Sequence, residues 1–272
     1  MQTAADVSVP RPVIYLLLGA GGGADGATWS TRTDVLDYLL HENINVVMPL
    51  GGRASYYADW RNDDPYYGRQ RWKTFLTQEL PPLIDDFLGA NGRNGIAGFS
   101  MSATSVLALA ATVPQLYSSV ASYSGCAQIS DPIGQRMVQL TVGVETRGLL
   151  DVKNMYGAPG DPMWAANDPF VQAEGLRGKA IYVSSGSGLA GELDIYDGKY
   201  SLPGLVGLVD QLVIGGAIEA VANFCTHNLK TRLDALGIEA TYNLSATGTH
   251  SWGYWEAAFK DSWHSLAAPL GM

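Results

Sequence analysis

The residues around Ser100 have the pattern of a nucleophilic serine. Ser100 is the middle residue of Gly98-Phe-Ser-Met-Ser102, where small residues flank it. The segment 94–99 before it predicts a short buried strand, and the segment 103–111 after it predicts a helix. On such a turn the serine hydroxyl is exposed, and small neighbours let the strand and the helix pass close together. The usual motif, G-x-S-x-G, ends in Gly rather than in Ser102, so this segment alone does not identify a nucleophile.

A base for this serine is found 150 residues later (250 − 100), at His250. Acyl transfer through serine needs a base that accepts its proton, an acid that orients the base, and donors for the oxyanion. His250 follows the predicted strand 239–244 on a short turn that contains Gly248. A nucleophile first and a histidine last is the order found in α/β-hydrolases. The other histidines are predicted at the surface or in helices: His41, His227 and His264.

The spacing of the acidic residues leaves several candidates for the orienting carboxylate. Each could follow the predicted strand 179–185 and reach His250, and each is alternatively a solvated surface group. Glu219 differs from the others because its neighbours are apolar, and a solitary carboxylate in such a setting needs a partner. The candidates are Glu192, Asp194, Asp197, Asp210 and Glu219.

Backbone N–H groups are the expected oxyanion donors. One belongs to Met101, the residue after the serine. The other is expected from the loop 19–23, where glycines let the backbone turn sharply and point N–H groups at one spot. The alternative is a phosphate-binding loop, but the glycines lack the G-x-G-x-x-G spacing of a dinucleotide site and no acidic ribose partner follows. We expect neither a cofactor nor a metal ion.

The segments that must position these residues predict an α/β fold. Apolar runs of strand length alternate with helical segments at 32–40, 72–88 (interrupted near Pro81 and Pro82), 103–111 and about 135–142. This alternation favours the α/β-hydrolase fold, a mostly parallel central sheet with helices on both faces, in one domain over residues 1–272. The predicted strands are 12–18, 43–49, 94–99, 116–123, 179–185 and 239–244.

Two stretches are longer than the connections that a minimal α/β fold needs between its strands. Residues 126–178 form a long insertion, and residues 187–216 are rich in glycine and then apolar. Long excursions after the carboxyl ends of strands are where such folds keep their active-site covers. The apolar part of 187–216 is therefore interpreted either as a core helix or as a wall for an apolar substrate.

Composition excludes several classes of function. The 272 residues carry a formal net charge of −9, which argues against nucleic acid because nothing would neutralise its phosphates. No uninterrupted apolar run reaches 18 residues, so we expect no transmembrane segment. The first twelve residues lack the basic and apolar regions of a signal peptide, so the chain is expected either inside the cell or as an export product without its signal.

The two cysteines, Cys126 and Cys225, suffice for one disulfide bridge, with two free thiols as the alternative.

Several blocks spread over nearly the whole chain resemble the antigen 85 mycolyltransferases. That family belongs to the esterase-D-like branch of the α/β-hydrolases, and the likeness is greatest to its corynebacterial, rhodococcal and nocardial members. The blocks are Val46-Val-Met-Pro-Leu-Gly-Gly52 with Tyr56-Tyr-Ala-Asp-Trp60, Trp72-Lys-Thr-Phe-Leu-Thr-Gln-Glu-Leu-Pro81, Gly98-Phe-Ser-Met-Ser102, Asp161-Pro-Met-Trp-Ala-Ala-Asn-Asp-Pro169, and Gly248-Thr-His-Ser-Trp252 with Tyr254-Trp255.

The resemblance implies a role for particular residues. It implies a triad of Ser100, Glu219 and His250, and so selects Glu219 among the acidic candidates. A bridge between Cys126 and Cys225 is the hypothesis for an exported enzyme of this kind. The remaining family positions fall on Ala20 and Met101 as oxyanion donors and on Trp252 as a substrate contact.

The resemblance also implies an activity and a place of action. In that family the serine takes a mycolyl group from trehalose monomycolate and passes it to another sugar hydroxyl, in the cell envelope or outside the cell. The expected partners are therefore trehalose mycolates or related acyl glycolipids and sugar acceptors of the envelope. The alternatives are a carboxylesterase with the same triad and a non-catalytic, matrix-binding member.

The chain departs from the family at two places. The family's sugar-contacting Asp and Arg fall on Leu18 and Gly21, so contacts to trehalose cannot be transferred to this loop. The family also has a strand hairpin before the equivalent of Pro12, for which residues 1–11 are too few.

Overall fold

The core of the protein is a parallel sheet of six strands, seen in a computed structural model that describes residues 1–200 and 203–272. The strand order is β2-β1-β3-β4-β5-β6, with every neighbouring pair parallel. This confirms the predicted α/β-hydrolase fold and all the predicted strands. The strands are β1 Val13–Leu16, β2 Asn45–Val47, β3 Asn94–Phe99, β4 Tyr117–Tyr123, β5 Ala180–Ser185 and β6 Thr241–Leu244.

Helices cover both faces of the sheet and create two separate hydrophobic clusters. One contains Leu107 and Leu229, and the other contains Phe99 and Phe259. All residues of β1 and β3 are buried, because helices cover both faces of the sheet. The helices are α1 Trp29–Arg32, α2 Val35–Leu39, α3 Trp72–Thr74, α4 Leu80–Leu88, α5 Met101–Thr112, α6 Pro132–Glu145, α7 Val152–Tyr156, α8 Pro162–Ala166, α9 Gly204–Asp210, α10 Gly216–Leu236 and α11 Trp252–Ala267.

Two helix predictions were wrong in detail. The helix predicted at 32–40 is found as the shorter α2, because the extended Thr33 separates it from α1, which ends at Arg32. Pro81 and Pro82 do not interrupt α4, since they lie in its first turn, where a missing N–H group is tolerated. The irregularity lies just before them, as a π-helical turn at Phe75–Glu79.

A long helical segment stands beside the carboxyl ends of the strands. It consists of α9, a π-helical turn at Gln211–Gly215, and α10. By length and composition it is apolar enough to span a membrane, with a mean hydropathy of 1.7 over a window of which 33% is buried. Core helices of soluble proteins pass the same test, so the absence of a membrane span stays a prediction.

The amino-terminal half of this segment leaves its apolar side chains exposed. The core-helix interpretation is therefore wrong here, and the alternative of a wall for an apolar substrate stays open. The exposed side chains, with their exposed fractions, are Leu205 (66%), Val206 (83%), Val209 (49%), Val213 (60%) and Ile214 (54%).

Candidate active site

Ser100 occupies the sharp turn between β3 and α5. Its φ of 57° lies in the left-handed region, which is strained for a residue other than glycine and typical of functional sites. Gly98 is needed beside it, because a Cβ there would lie 2.6 Å from Oγ of Ser102. Ser102 accepts a hydrogen bond from the N–H of Phe99 (3.0 Å) and donates one to its carbonyl (2.9 Å). Ser102, which replaces the usual glycine, therefore holds the start of α5 against the end of β3 through its hydroxyl.

Ser100, His250 and Glu219 form a continuous series of hydrogen bonds. Nε2 of His250 lies 2.8 Å from Oγ of Ser100, and Nδ1 lies 2.8 Å from Oε2 of Glu219. Because the carboxylate accepts the Nδ1 proton, Nε2 is free to accept the serine proton. The structure thus brings together the three predicted catalytic residues: Ser100 from the turn after β3, Glu219 from α10 and His250 from the turn after β6.

Two further donors hold the carboxylate of Glu219, which is fully buried. Its Oε1 accepts hydrogen bonds from Oγ of Ser124 (2.8 Å) and from the N–H of Gly186 (2.7 Å). A buried carboxylate is stable only when its oxygens are hydrogen-bonded in this way. Ser124 and Gly186 directly follow β4 and β5. Sequence reasoning missed both, although their places at strand ends were the available signal.

A disulfide bond fixes the helix that carries Glu219. It joins Cys126, beyond β4, to Cys225 in α10, across 99 residues of sequence. Cys225 is fully buried and lies six positions after Glu219 (225 − 219). The bond therefore ties the acid-bearing helix to the segment that contains Ser124.

Ala20 and Met101 come from neighbouring strand ends. Ala20 follows β1 and Met101 follows Ser100 after β3, and β1 pairs directly with β3. Gly19 packs so closely on Phe99 that a Cβ there would lie 2.8 Å from the Phe99 ring. Across the described residues, neither the N–H of Ala20 nor that of Met101 donates a hydrogen bond. Both groups are therefore available to an oxyanion, and this role remains a prediction.

Trp252 lies at the start of α11, in an aromatic cluster rather than in the cavity at Ser100. Its ring centroid is 4.6 Å from that of Phe99, 5.2 Å from that of Trp255 and 6.0 Å from that of Trp29. Trp255 also packs its ring against His250, at 5.0 Å. Trp252 is only partly buried, and its contact with substrate remains a prediction.

A narrow cavity of about 40 Å³ adjoins Ser100 and His250. Roughly 10–15 Å³ of such volume holds one water molecule, so the cavity has room for a few waters and is too small for a long acyl chain. Burial raises the pKa of Tyr56 in this cavity to about 12, so its hydroxyl stays protonated at neutral pH. The other lining residues follow β4 or lie on α5, α6 and α10: Ser124, Cys126, Met101, Thr104, Met137, Thr141, Ile218 and Ala222.

Sequence comparison identifies the family. The profile of the Esterase family matches residues 5–265 of this chain. The chain belongs to this family. Among its relatives, diacylglycerol acyltransferase/mycolyltransferase Ag85B of Mycobacterium intracellulare is 32% identical over 96% of this chain and 76% of its own length. The Ag85B protein of Mycobacterium leprae is 33% identical over 90% of this chain and 72% of its own length.

Solved structures of other proteins share the fold of this Esterase family member. MPT51 (FbpC1) of Mycobacterium tuberculosis superposes with a TM-score of 0.78 at 24% identity, covering 96% of this chain and 90% of its own. An S-formylglutathione hydrolase of Agrobacterium tumefaciens superposes with a TM-score of 0.66 at 17% identity, covering 97% and 86%. At these identities the likeness establishes the fold.

Proposed function

We propose that this Esterase family member is a serine acyltransferase that moves a mycolyl or similar long-chain acyl group between sugar hydroxyls. The observation that carries the proposal is the hydrogen-bonded series from Ser100 through His250 to the buried Glu219. Relatives at 32–33% identity are named diacylglycerol acyltransferase/mycolyltransferase, which supports the choice of acyl donor and of transfer. The proposed donor is trehalose monomycolate or a related acyl glycolipid.

In the first half of the reaction, Oγ of Ser100 attacks the ester carbonyl carbon while Nε2 of His250 takes its proton. The carbonyl oxygen becomes an oxyanion, which the N–H groups of Met101 and Ala20 would stabilise. As the tetrahedral intermediate collapses, the bond to the sugar oxygen breaks and His250 returns the proton to that oxygen. The deacylated sugar leaves, and the acyl group stays on Ser100.

In the second half, a hydroxyl of the acceptor sugar replaces the leaving sugar. His250 accepts the hydroxyl proton as the oxygen attacks the acyl carbon. As this second tetrahedral intermediate collapses, the bond from the acyl carbon to Oγ of Ser100 breaks, and His250 returns the proton to Oγ. Glu219 keeps the imidazole oriented and stabilises its protonated form in both halves. The products are a new sugar ester and the free enzyme.

Some family members contact the sugar through an Asp and an Arg in the first loop, and this chain must recognise its acceptor in another way. Leu18, at one of those positions, is fully buried and cannot contact a sugar, and Gly21 has no side chain. The disulfide supports an oxidising location, since such bonds persist outside the cytosol. We therefore place the reaction at the cell envelope or outside the cell.

The test is to incubate the purified protein with trehalose monomycolate and to separate the products by thin-layer chromatography. Formation of trehalose dimycolate, lost in Ser100→Ala, is the expected result. Free mycolic acid as the only product would indicate a carboxylesterase. If neither product forms, no acyl adduct appears on Ser100 with an activated ester, and the protein binds matrix protein, the non-catalytic alternative would be correct.

A further inference from the structure

A second carboxylate, Asp194, lies at the centre of a hydrogen-bond cluster beside the candidate active site. Its Oδ2 accepts hydrogen bonds from the N–H of Gly191 (2.8 Å) and from the hydroxyl of Tyr254 (2.7 Å). Its Oδ1 accepts from Nε2 of Gln211 (2.6 Å) and from the hydroxyl of Thr249. The four donors come from the loop after β5, the π-helical turn, the turn after β6 and α11.

These donors enclose the turn that carries His250. Thr249 precedes the histidine, is fully buried, and donates to Asp194. Ser251 follows the histidine, and its Oγ accepts a hydrogen bond from Gln211 (3.2 Å), the residue that also donates to Asp194. Both neighbours of His250 are therefore connected to one carboxylate, directly or through Gln211.

Beyond this cluster, the backbone of the turn is held at Gly248, which makes two hydrogen bonds to the loop 188–189, and at His250 itself. Its own N–H donates a long hydrogen bond to the carbonyl of Gly215 (3.3 Å), and Trp255 packs against one edge of its ring. The 2.8 Å contact between its Nε2 and Oγ of Ser100 thus depends on where the turn 249–251 sits. A displacement of about 1 Å at reacting groups can cost on the order of 100-fold in rate.

We propose that Asp194 is a positioning residue for the reaction, which acts by holding the turn 249–251 so that His250 reaches Ser100. This inference rests on the proposed function, because it concerns the same proton transfer. Within residues 1–200 and 203–272, no Lys, Arg or His forms an ion pair with Asp194, so its hydrogen-bond donors are all neutral groups.

An asparagine would fit this site only if the side-chain amide of Gln211 turned round. Oδ2 of Asp194 accepts from the backbone N–H of Gly191, which cannot reverse, so the amide oxygen of an asparagine must occupy that place. Its NH2 group would then face Nε2 of Gln211, which now donates to Oδ1 of Asp194 and to Oγ of Ser251. Asp194→Asn is therefore expected to lower the rate less than Asp194→Ala does.

The experiment compares Asp194→Ala in two backgrounds, wild type and His250→Ala, with p-nitrophenyl butyrate as substrate. In the wild-type background we expect kcat to fall roughly 10-fold to 100-fold and KM to stay within about twofold. In the His250→Ala background we expect the residual rate to change by less than about twofold, since the histidine to be positioned is gone. Glu192→Gln is the matched control, because it removes a charge from the same loop at an exposed carboxylate.

Equal losses in the two backgrounds would show that Asp194 serves only the structure and would overturn the inference, as would an unchanged kcat in Asp194→Ala. If the wild-type protein shows no turnover, or if Ser100→Ala leaves the turnover unchanged, the proposed function is overturned and the inference with it. If Asp194→Ala does not fold, Thr249→Val removes one donor with little change in shape. It is then expected to lower kcat several-fold with the same dependence on His250, and an unchanged kcat would contradict the inference.

Discussion

The hydroxyl of Ser124 donates a hydrogen bond of 2.8 Å to Oε1 of Glu219, on the side of the carboxylate away from His250. Ser124 has a φ of 56°, directly after β4. Like Ser100, it is thus a serine in a left-handed conformation at the carboxyl end of a central strand. One such turn presents the nucleophile, and the other presents a donor that keeps the acid in place.

Ser100→Ala is expected to remove the covalent route and to lower the esterase or transferase rate at least about 1,000-fold, because no acyl-enzyme can form. The measurement is turnover of p-nitrophenyl butyrate, with the mass of the protein after treatment with a fluorophosphonate as a second readout. The wild-type mass should increase by one adduct and the variant mass should not. A variant that retains turnover would refute Ser100 as the nucleophile.

Ser124→Ala is expected to lower the free energy of unfolding by about 1–3 kcal/mol, because it leaves a buried carboxylate with one donor fewer. Urea denaturation followed by circular dichroism measures this change. Ser187→Ala is the control, since it removes an exposed hydroxyl that donates to the carbonyl of Ala246 and accepts from the N–H of Leu189. The control should change stability by less than about 0.5 kcal/mol. Equal effects of the two substitutions would contradict the part we assign to Ser124.

Reduction of the Cys126–Cys225 bond is expected to destabilise the protein by about 2–5 kcal/mol, because the bond closes a long loop in the unfolded chain. The midpoint of urea unfolding should fall when dithiothreitol is added. The double variant Cys126→Ser/Cys225→Ser should have the lower midpoint with and without dithiothreitol. An identical midpoint for oxidised and reduced wild type would show that the bond does not contribute to stability.

Val206→Ser is expected to leave stability within about 0.5 kcal/mol of wild type, since the side chain is 83% exposed. If the exposed side chains of α9 contact the acyl chain, the variant should hydrolyse p-nitrophenyl palmitate more slowly and p-nitrophenyl acetate at the wild-type rate. Val7→Ser, at another exposed valine (72%), is the control and should leave both rates unchanged. Equal rates with palmitate for Val206→Ser and wild type would remove α9 as a substrate wall.

Much of the fold could be predicted because buried parallel strands have an unambiguous pattern. Runs such as 12–18 and 180–183 are apolar on both faces and are bounded by polar residues or turns, so their type and order follow from sequence. The helices were less exact, since the split between α1 and α2 and the π-helical turn before Pro81 depend on local backbone geometry. Apolar composition also misled the core-helix interpretation of α9, because composition does not say which face a helix turns to solvent.

The candidate site was predictable where a residue has a motif of its own, as Ser100 and His250 have. The acid was not, because five candidate carboxylates were left between β5 and His250 and only the resemblance to a family selected Glu219. The donors Ser124 and Gly186 were missed, because they lie 95 and 33 positions from Glu219 along the chain and their places at strand ends do not say which side chain they meet. Ser102 looked like a defect in the motif, and only its two hydrogen bonds to Phe99 reveal its use.

The segment formed by α9, the π-helical turn and α10 runs without a break from the exposed Val206 to the buried Glu219. These residues are 13 positions apart (219 − 206), which is about 20 Å along a helix axis. The exposed apolar surface of α9 and the carboxylate that orients His250 therefore belong to one continuous helical segment.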